Sequence, residues 1–258
     1  MMVLVFLRFL WQNESGNEPH KGGINDFEKE ILALMKTEQS IGSWVREQLS
    51  KSYSLKQLDL GTDARLAKKG FTFETESYEA AELGHLCIMR MKAMLGLMRM
   101  ETVILSVTHK DVPLINLDYV KAAGKETQIV ELYNTQIAYE AKELQEALQK
   151  IRDRDADLTD YTSAGTHWYD DILYPCSYHK TGKGVSDRLA AAARDCAAEY
   201  ISLLASAPDC NPAEKQAKSR SFAESLLASG GPAVDQVTKL FGRETAERLI
   251  LRHMYGVR

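Results

Sequence analysis

The segment Asp111-Val112-Pro113-Leu114-Ile115-Asn116-Leu117-Asp118 decides how the rest of the chain is read. Apolar side chains fill most of it, and two polar ones, Asn116 and Asp118, recur two residues apart. Alternate residues of a strand share a face, so Val112, Leu114, Asn116, Asp118 and Val120 point one way. Pro113, Ile115, Leu117 and Tyr119 point the other. A carboxylate inside an apolar strand costs free energy to bury unless it is partnered. Asp118 is therefore the first candidate for a functional group.

Working outward, period-two patterning holds over residues 84–133 and helical spacing holds on both sides. Phe71, Phe73 and Thr75 mark a strand, residues 85–91 a second, and 97–107 a third with β-branched Val103, Ile104 and Val107. Residues 112–121 form a fourth, and Ala122-Ala123-Gly124-Lys125 is a glycine-bearing hairpin into a fifth at 127–133. Links this short join antiparallel neighbours, because parallel pairs need long crossovers. The expectation is a meander of five or six strands.

Before the meander, Asn25 or Asp26 can cap a helix to residue 37, with Phe27, Ile31, Leu32 and Met35 on one face. Ser40 or Ser43 can start another to residue 50, and 59–69 has room for a short helical turn. After the meander, helical spacing runs through 135–152 and returns at 185–206, 213–228 and 233–256, the last broken at Phe241-Gly242. Residues 153–184 between them are irregular and carry Trp168, Tyr169, Tyr174 and Tyr178; a loop of that length is often functional. Helix, sheet, helix in that order predicts an α+β fold, a three-layer α/β/α sandwich with a central antiparallel sheet flanked by helices.

The bulk composition narrows the function classes. The 258 residues are 45% hydrophobic and 26% charged, as in an ordinary globular protein, with a net charge of −4. That balance argues against a nucleic-acid binder; Arg65, Lys68 and Lys69 form a local basic patch that reads as a solvated loop. Cys87, Cys176, Cys196 and Cys210 show no C-x-x-C pair and no metal-ligand spacing with histidine, so no metal is expected, and the thiols suit a reducing, cytoplasmic setting. Residues 1–11 are apolar but shorter than the ~20 residues a membrane span needs, and they lack a signal-peptide cleavage site. Residues 1–23 read as a poorly ordered apolar start and polar linker, and 24–258 as one domain with no membrane association.

Glu101 is the second candidate acid. It shares a strand face with Arg99 and Val103, opposite Thr102 and Ile104. If the meander brings Glu101 and Asp118 to one face, two acids lie near one pocket, and shared desolvation raises the pKa of at least one into the range of a proton donor. The same residues also read as a structural network in which Asn116 and a lysine or arginine hold Asp118. The sequence leaves both readings open. His109, just before the strand, is a further candidate.

Three separated motifs resemble those of the ferredoxin-dependent bilin reductases, including red chlorophyll catabolite reductase-like proteins. Asp111 to Asp118 is similar to that family's D-L-P-x-F-G-x-D segment. Gly231-Pro232-Ala233 with Phe241-Gly242, Ala246 and Ile250 is similar to its D-P-A…F-G…A ending, and Trp168 to Pro175 to its W-G-x-I-F-S-P loop. The resemblance covers roughly residues 70–256. It implies a linear tetrapyrrole (bilin-like) substrate between the sheet and the C-terminal helices. Reduction would run by single-electron steps with electrons from ferredoxin or flavodoxin, no bound cofactor, and carboxylates as proton donors. Asp118 then matches the central proton-donating Asp, and Glu101 falls seventeen positions earlier, where many members have a His. Asn116 and Thr127 fall near substrate, and Arg90, His179 and Lys180 suit its propionates. Gly231 stands where several members place a second acid, and no Ile-Glu pair appears around Ile88-Met89-Arg90. The same sandwich could instead hold a tetrapyrrole or haem without turnover.

Overall fold

The computed structural model describes residues 40–163, 165–230 and 232–257. The helix expected before residue 37, the apolar start and Gly231 lie outside them. Helix α1 (Ile41–Ser50) is capped by Ser40, whose Oγ accepts the Ser43 N–H at 3.1 Å. Strands β1 (Leu55–Gln57), β2 (Arg65–Lys68), β3 (Phe71–Ala80), β4 (Gly84–Ala93), β5 (Met98–Val107), β6 (Leu114–Ala122) and β7 (Lys125–Tyr133) follow. Then come α2 (Lys142–Arg154), β8 (Thr159–Asp160), β9 (Tyr178–Gly182), α3 (Ser186–Ser206), α4 (Pro212–Ser229), α5 (Pro232–Phe241) and α6 (Arg243–Glu247). The chain ends in a π-helical stretch, Arg248–Met254.

The strands form one antiparallel sheet in the order β1-β3-β4-β5-β6-β7-β9-β8, with β2 also pairing along β3. The expected meander is its centre, and the α/β/α sandwich is the architecture observed. Both faces are covered, which explains why β6 is buried from Leu114 to Asp118 without a break. One face packs Ile88, Val103, Leu117 and Val130 against α1, α2 and α3. The other packs Met89, Met91, Met100 and Ile104 against α4, α5 and the π-helical stretch. Side chains such as Ile88 and Val103, wholly buried, each contribute roughly 1.5–3 kcal/mol by leaving water.

The structure departs from the sequence reading in three places. Residues 51–69 hold a 3-10 turn at Gly61–Ala64 but also β1 and β2, so the sheet has nine strands among the described residues. The irregular 153–184 stretch contains β8 and β9, which are too short to show periodicity. The helix expected from residue 135 starts only at Lys142, because the Asp111 carboxylate accepts the N–H groups of Ile137, Ala138 and Tyr139 at 2.7–2.8 Å. Those bonds fix 137–139 as a loop and leave Asp111, the first residue of the motif, a structural anchor. The final helix breaks at Gly242 as its sequence predicts, with a left-handed φ of 90°.

Candidate functional site

Asp118 sits at mid-sheet on the face covered by α4 and α5. Cross-strand register sets its neighbours: Thr102 of β5 on one side and Ile129 of β7 on the other. Asn116 lies two residues away, between Ile104 and Glu131. Thr102 Oγ1 donates to Asp118 Oδ1 at 2.6 Å, and Asn116 Nδ2 donates to the Tyr255 hydroxyl at 3.3 Å, while Asn116 Oδ1 is buried without a partner. Burial drives the Asp118 pKa up to about 7; the Thr102 hydrogen bond opposes that rise and the nearby charge of Glu131 adds to it. A carboxyl so placed carries its proton near neutrality and can give it up.

Glu131 is the second acid of this site. Tyr133 donates its hydroxyl to Glu131 Oε2 at 2.5 Å, and His179 Nε2 stands 3.1 Å from Oε1 at ion-pair distance without hydrogen-bond alignment. Aromatic rings wall this end of the pocket. Tyr133 packs against Tyr169 and Phe222, Trp168 against both of those, and Phe222 against Tyr255, with centroids 4.6–5.8 Å apart. Met89, Met91, Met100 and Phe73 line the other end, and Val234 and Val237 of α5 close the top. Among the described residues the lining contains no lysine or arginine, and the enclosed space is about 80 Å³. Helix α5 lies between Gly230 (φ 68°) and Gly242 (φ 90°).

The expected pairing of Glu101 with Asp118 is not made. The β5–β6 register sets Glu101 opposite Tyr119 and Thr102 opposite Asp118, which sends Glu101 to the α1 face. There Arg90 Nε donates to Glu101 at 3.1 Å and Arg90 also bonds Glu76 at 2.5 Å, under Ser40 and Ser43 of α1. Arg90 thus balances two carboxylates away from the pocket. Lys180 is on that same face too, bonded to Asp160 and to the Leu158 carbonyl. His109 lies in the β5–β6 connection, beside Thr108 Oγ1 and the Leu83 carbonyl, and does not line the pocket. Thr127 is on the pocket face but its hydroxyl bonds Thr181 at 2.9 Å. Asn116 lines the pocket, whereas His179 does not line it and stands behind Glu131, 3.1 Å from its Oε1.

Glu131 was legible by the criterion that selected Asp118, since it interrupts the apolar run Ile129-Val130-Glu131-Leu132-Tyr133. Tyr255 carried no such signal, because its approach to Asn116 depends on the turn that ends the chain's last helical stretch. Among the described residues no cluster of His, Cys, Asp or Glu is placed to hold a metal ion, and no helix is long and apolar enough to cross a membrane.

No protein-family model matches the chain, and no curated protein matches it. Among solved structures it is similar to phytochromobilin synthase from tomato in complex with biliverdin, with a TM-score of 0.63 at 13% identity, covering 83% of this chain and 80% of that one. At that identity the likeness is one of fold, and activity has to be argued from the site itself.

Proposed function

We propose that the chain is an oxidoreductase that reduces a linear tetrapyrrole in the cleft between the sheet and α4–α5. Asp118 is the proton donor. The observation that carries this reading is a buried carboxyl bonded to no lysine or arginine among the described residues, its pKa pushed up to about 7, on the floor of an aromatic- and methionine-lined cleft. Reducing one conjugated double bond takes two electrons and two protons. Electrons arrive singly from reduced ferredoxin or flavodoxin, with no bound cofactor, and each substrate radical needs a proton held ready in a site that excludes water. Likeness of fold to a protein solved with biliverdin supports the ligand class.

Glu131 takes the place expected of Glu101 as second acid, and His179 stands behind it toward solvent. Of the three basic residues expected to meet propionates, only His179 is on this face. Sites that enclose a sizeable ligand hold roughly 300–1,000 Å³, so binding requires α5 to swing away from the sheet about Gly230 and Gly242. The absence of lysine and arginine from the lining among the described residues favours one second reading, a tetrapyrrole- or haem-binding protein without turnover.

Anaerobic incubation with biliverdin, before and after addition of reduced ferredoxin, tests both. Reduction is expected to bleach or shift the bound biliverdin spectrum only once the reductant is present. A bound spectrum that persists unchanged sinks the reductase and leaves the binding protein. No spectral change with either biliverdin or haem sinks both.

A further inference from the structure

One end of the sheet concentrates positive charge around an exposed apolar tip. Strands β4 and β5 are joined there by Met94-Leu95-Gly96-Leu97, in which Leu95 is 97% exposed and Leu97 58%. Met94 (φ 51°) and Leu95 (φ 57°) both adopt the left-handed conformation that side chains disfavour. A turn needing only that geometry would take Gly or Asn, so a leucine held at the apex is opposed by both strain and solubility.

Cations surround the tip. Lys92 of β4 lies directly opposite Arg99 of β5, and Arg99 directly opposite Lys121 of β6. Like charges in facing positions of adjacent strands repel. Glu126 answers Lys121, and Arg99 donates to the Gly96 carbonyl. Lys92 has no ion pair among the described residues. The neighbouring hairpin ends add Lys68, Lys69, Lys125 and Lys183, all exposed and likewise without an ion pair among the described residues. In a chain of net charge −4 this is a strong local segregation.

We propose that this end of the sheet docks on an anionic bilayer surface, with Leu95 and Leu97 entering the headgroup boundary and the lysines meeting lipid phosphates. Leu95 protrudes from the hairpin apex, bounding a recess shared with Phe71, Lys92 and Arg99, and the cations stand one or more residues behind it, which is the depth order of a membrane interface. A protein partner would need a pocket cut to this protrusion, whereas a bilayer admits any convex apolar side chain. Each lysine near an anionic surface strengthens partition about fivefold. The inference uses none of the pocket residues and stands whether or not the reductase reading does.

Co-sedimentation of the full chain with vesicles of equal parts phosphatidylcholine and phosphatidylglycerol tests it, against pure phosphatidylcholine. Binding is expected to anionic vesicles only and to weaken with salt. Leu95→Ser with Leu97→Ser, and separately Lys92→Gln with Arg99→Gln, should each lower it tenfold or more, with the thermal melt of the leucine variant preserved because both leucines are exposed. The apolar residues 1–11 could themselves carry vesicle binding, so the hairpin variants decide. Binding that survives both double variants overturns the proposal. So does an intact chain that ignores anionic vesicles, including one that instead binds an acidic protein through these residues.

Discussion

Glu101 and Asp118 lie one register position apart on adjacent strands, yet they meet opposite electrostatic surroundings. On the α1 face, Glu101 shares Arg90 with Glu76, and Arg46 adds a further ion pair to Glu76 at 3.3 Å. Burial works against the Glu76 charge, but bonds from Tyr78 and Arg90 and the charges of Arg90 and Arg46 outweigh it, holding the carboxyl below its usual range. On the α4–α5 face Asp118 has a hydroxyl and a second acid beside it and, among the described residues, no lysine or arginine bonded to it, and its pKa rises. The α1 face settles its acids by pairing them, whereas on the other face burial raises Asp118 toward its protonated form. Paired acids hold a structure together, whereas a protonated one is available for transfer.

The largest expected effect comes from removing that transferable proton. Asp118→Asn should lower turnover in the anaerobic biliverdin assay by roughly 10²–10⁴-fold while the bound spectrum still forms. Full activity in that variant would show that Asp118 is not the donor. The two faces should also respond oppositely to pH. Asp118 has a folded pKa above its unfolded value, so its contribution to stability is complete below about pH 4 and is lost as pH rises toward 7. The nominal size is on the order of 4 kcal/mol, read as a slope in urea-melt midpoints that Asp118→Asn should abolish. Glu76 has a lowered folded pKa, so its contribution is present above its unfolded pKa and is lost as pH falls through the folded one.

Arg90→Met should destabilise by about 2–4 kcal/mol, because it takes the cation from partly buried Glu101 and leaves Glu76 only Arg46 and Tyr78. Asp118 titration, followed through its carboxyl infrared band, should stay where it was; a shift there would mean the faces are coupled through the sheet. Glu131→Gln should move that titration toward acid, by less than burial moves it the other way, since burial is the dominant cause. The smallest change lies off both faces. Leu95→Gly relieves a left-handed backbone at an exposed position and should stabilise by about 0.5 kcal/mol, seen as a slightly raised Tm.

Much of this was legible from alternation alone. It placed Asn116 beside Asp118 and opposite Leu117, found the hairpin at Ala123-Gly124, and separated the helical flanks from the strands between them. The Glu101–Asp118 pairing failed because alternation relates residues within a strand and says nothing across strands. Shifting β5 by a single residue against β6 would exchange Glu101 for Thr102 beside Asp118. That choice rests on the lengths of the turns at 94–97 and 108–113. Strands β8 and β9 stayed hidden for a different reason: two to five residues cannot establish a period, and they exist because β7 offers an unpaired edge.

By itself the sequence determined the layer order, the central antiparallel meander and the anomaly of an acid in an apolar strand, since each follows from local pattern and short connections. Only the tertiary structure decided which acids share a face, that Arg90 and Lys180 are committed to carboxylates away from the pocket, and that Tyr255 reaches Asn116. Those are long-range facts. They depend on strand register and on where the last helices return to the sheet, and neither is encoded within the span of any one element.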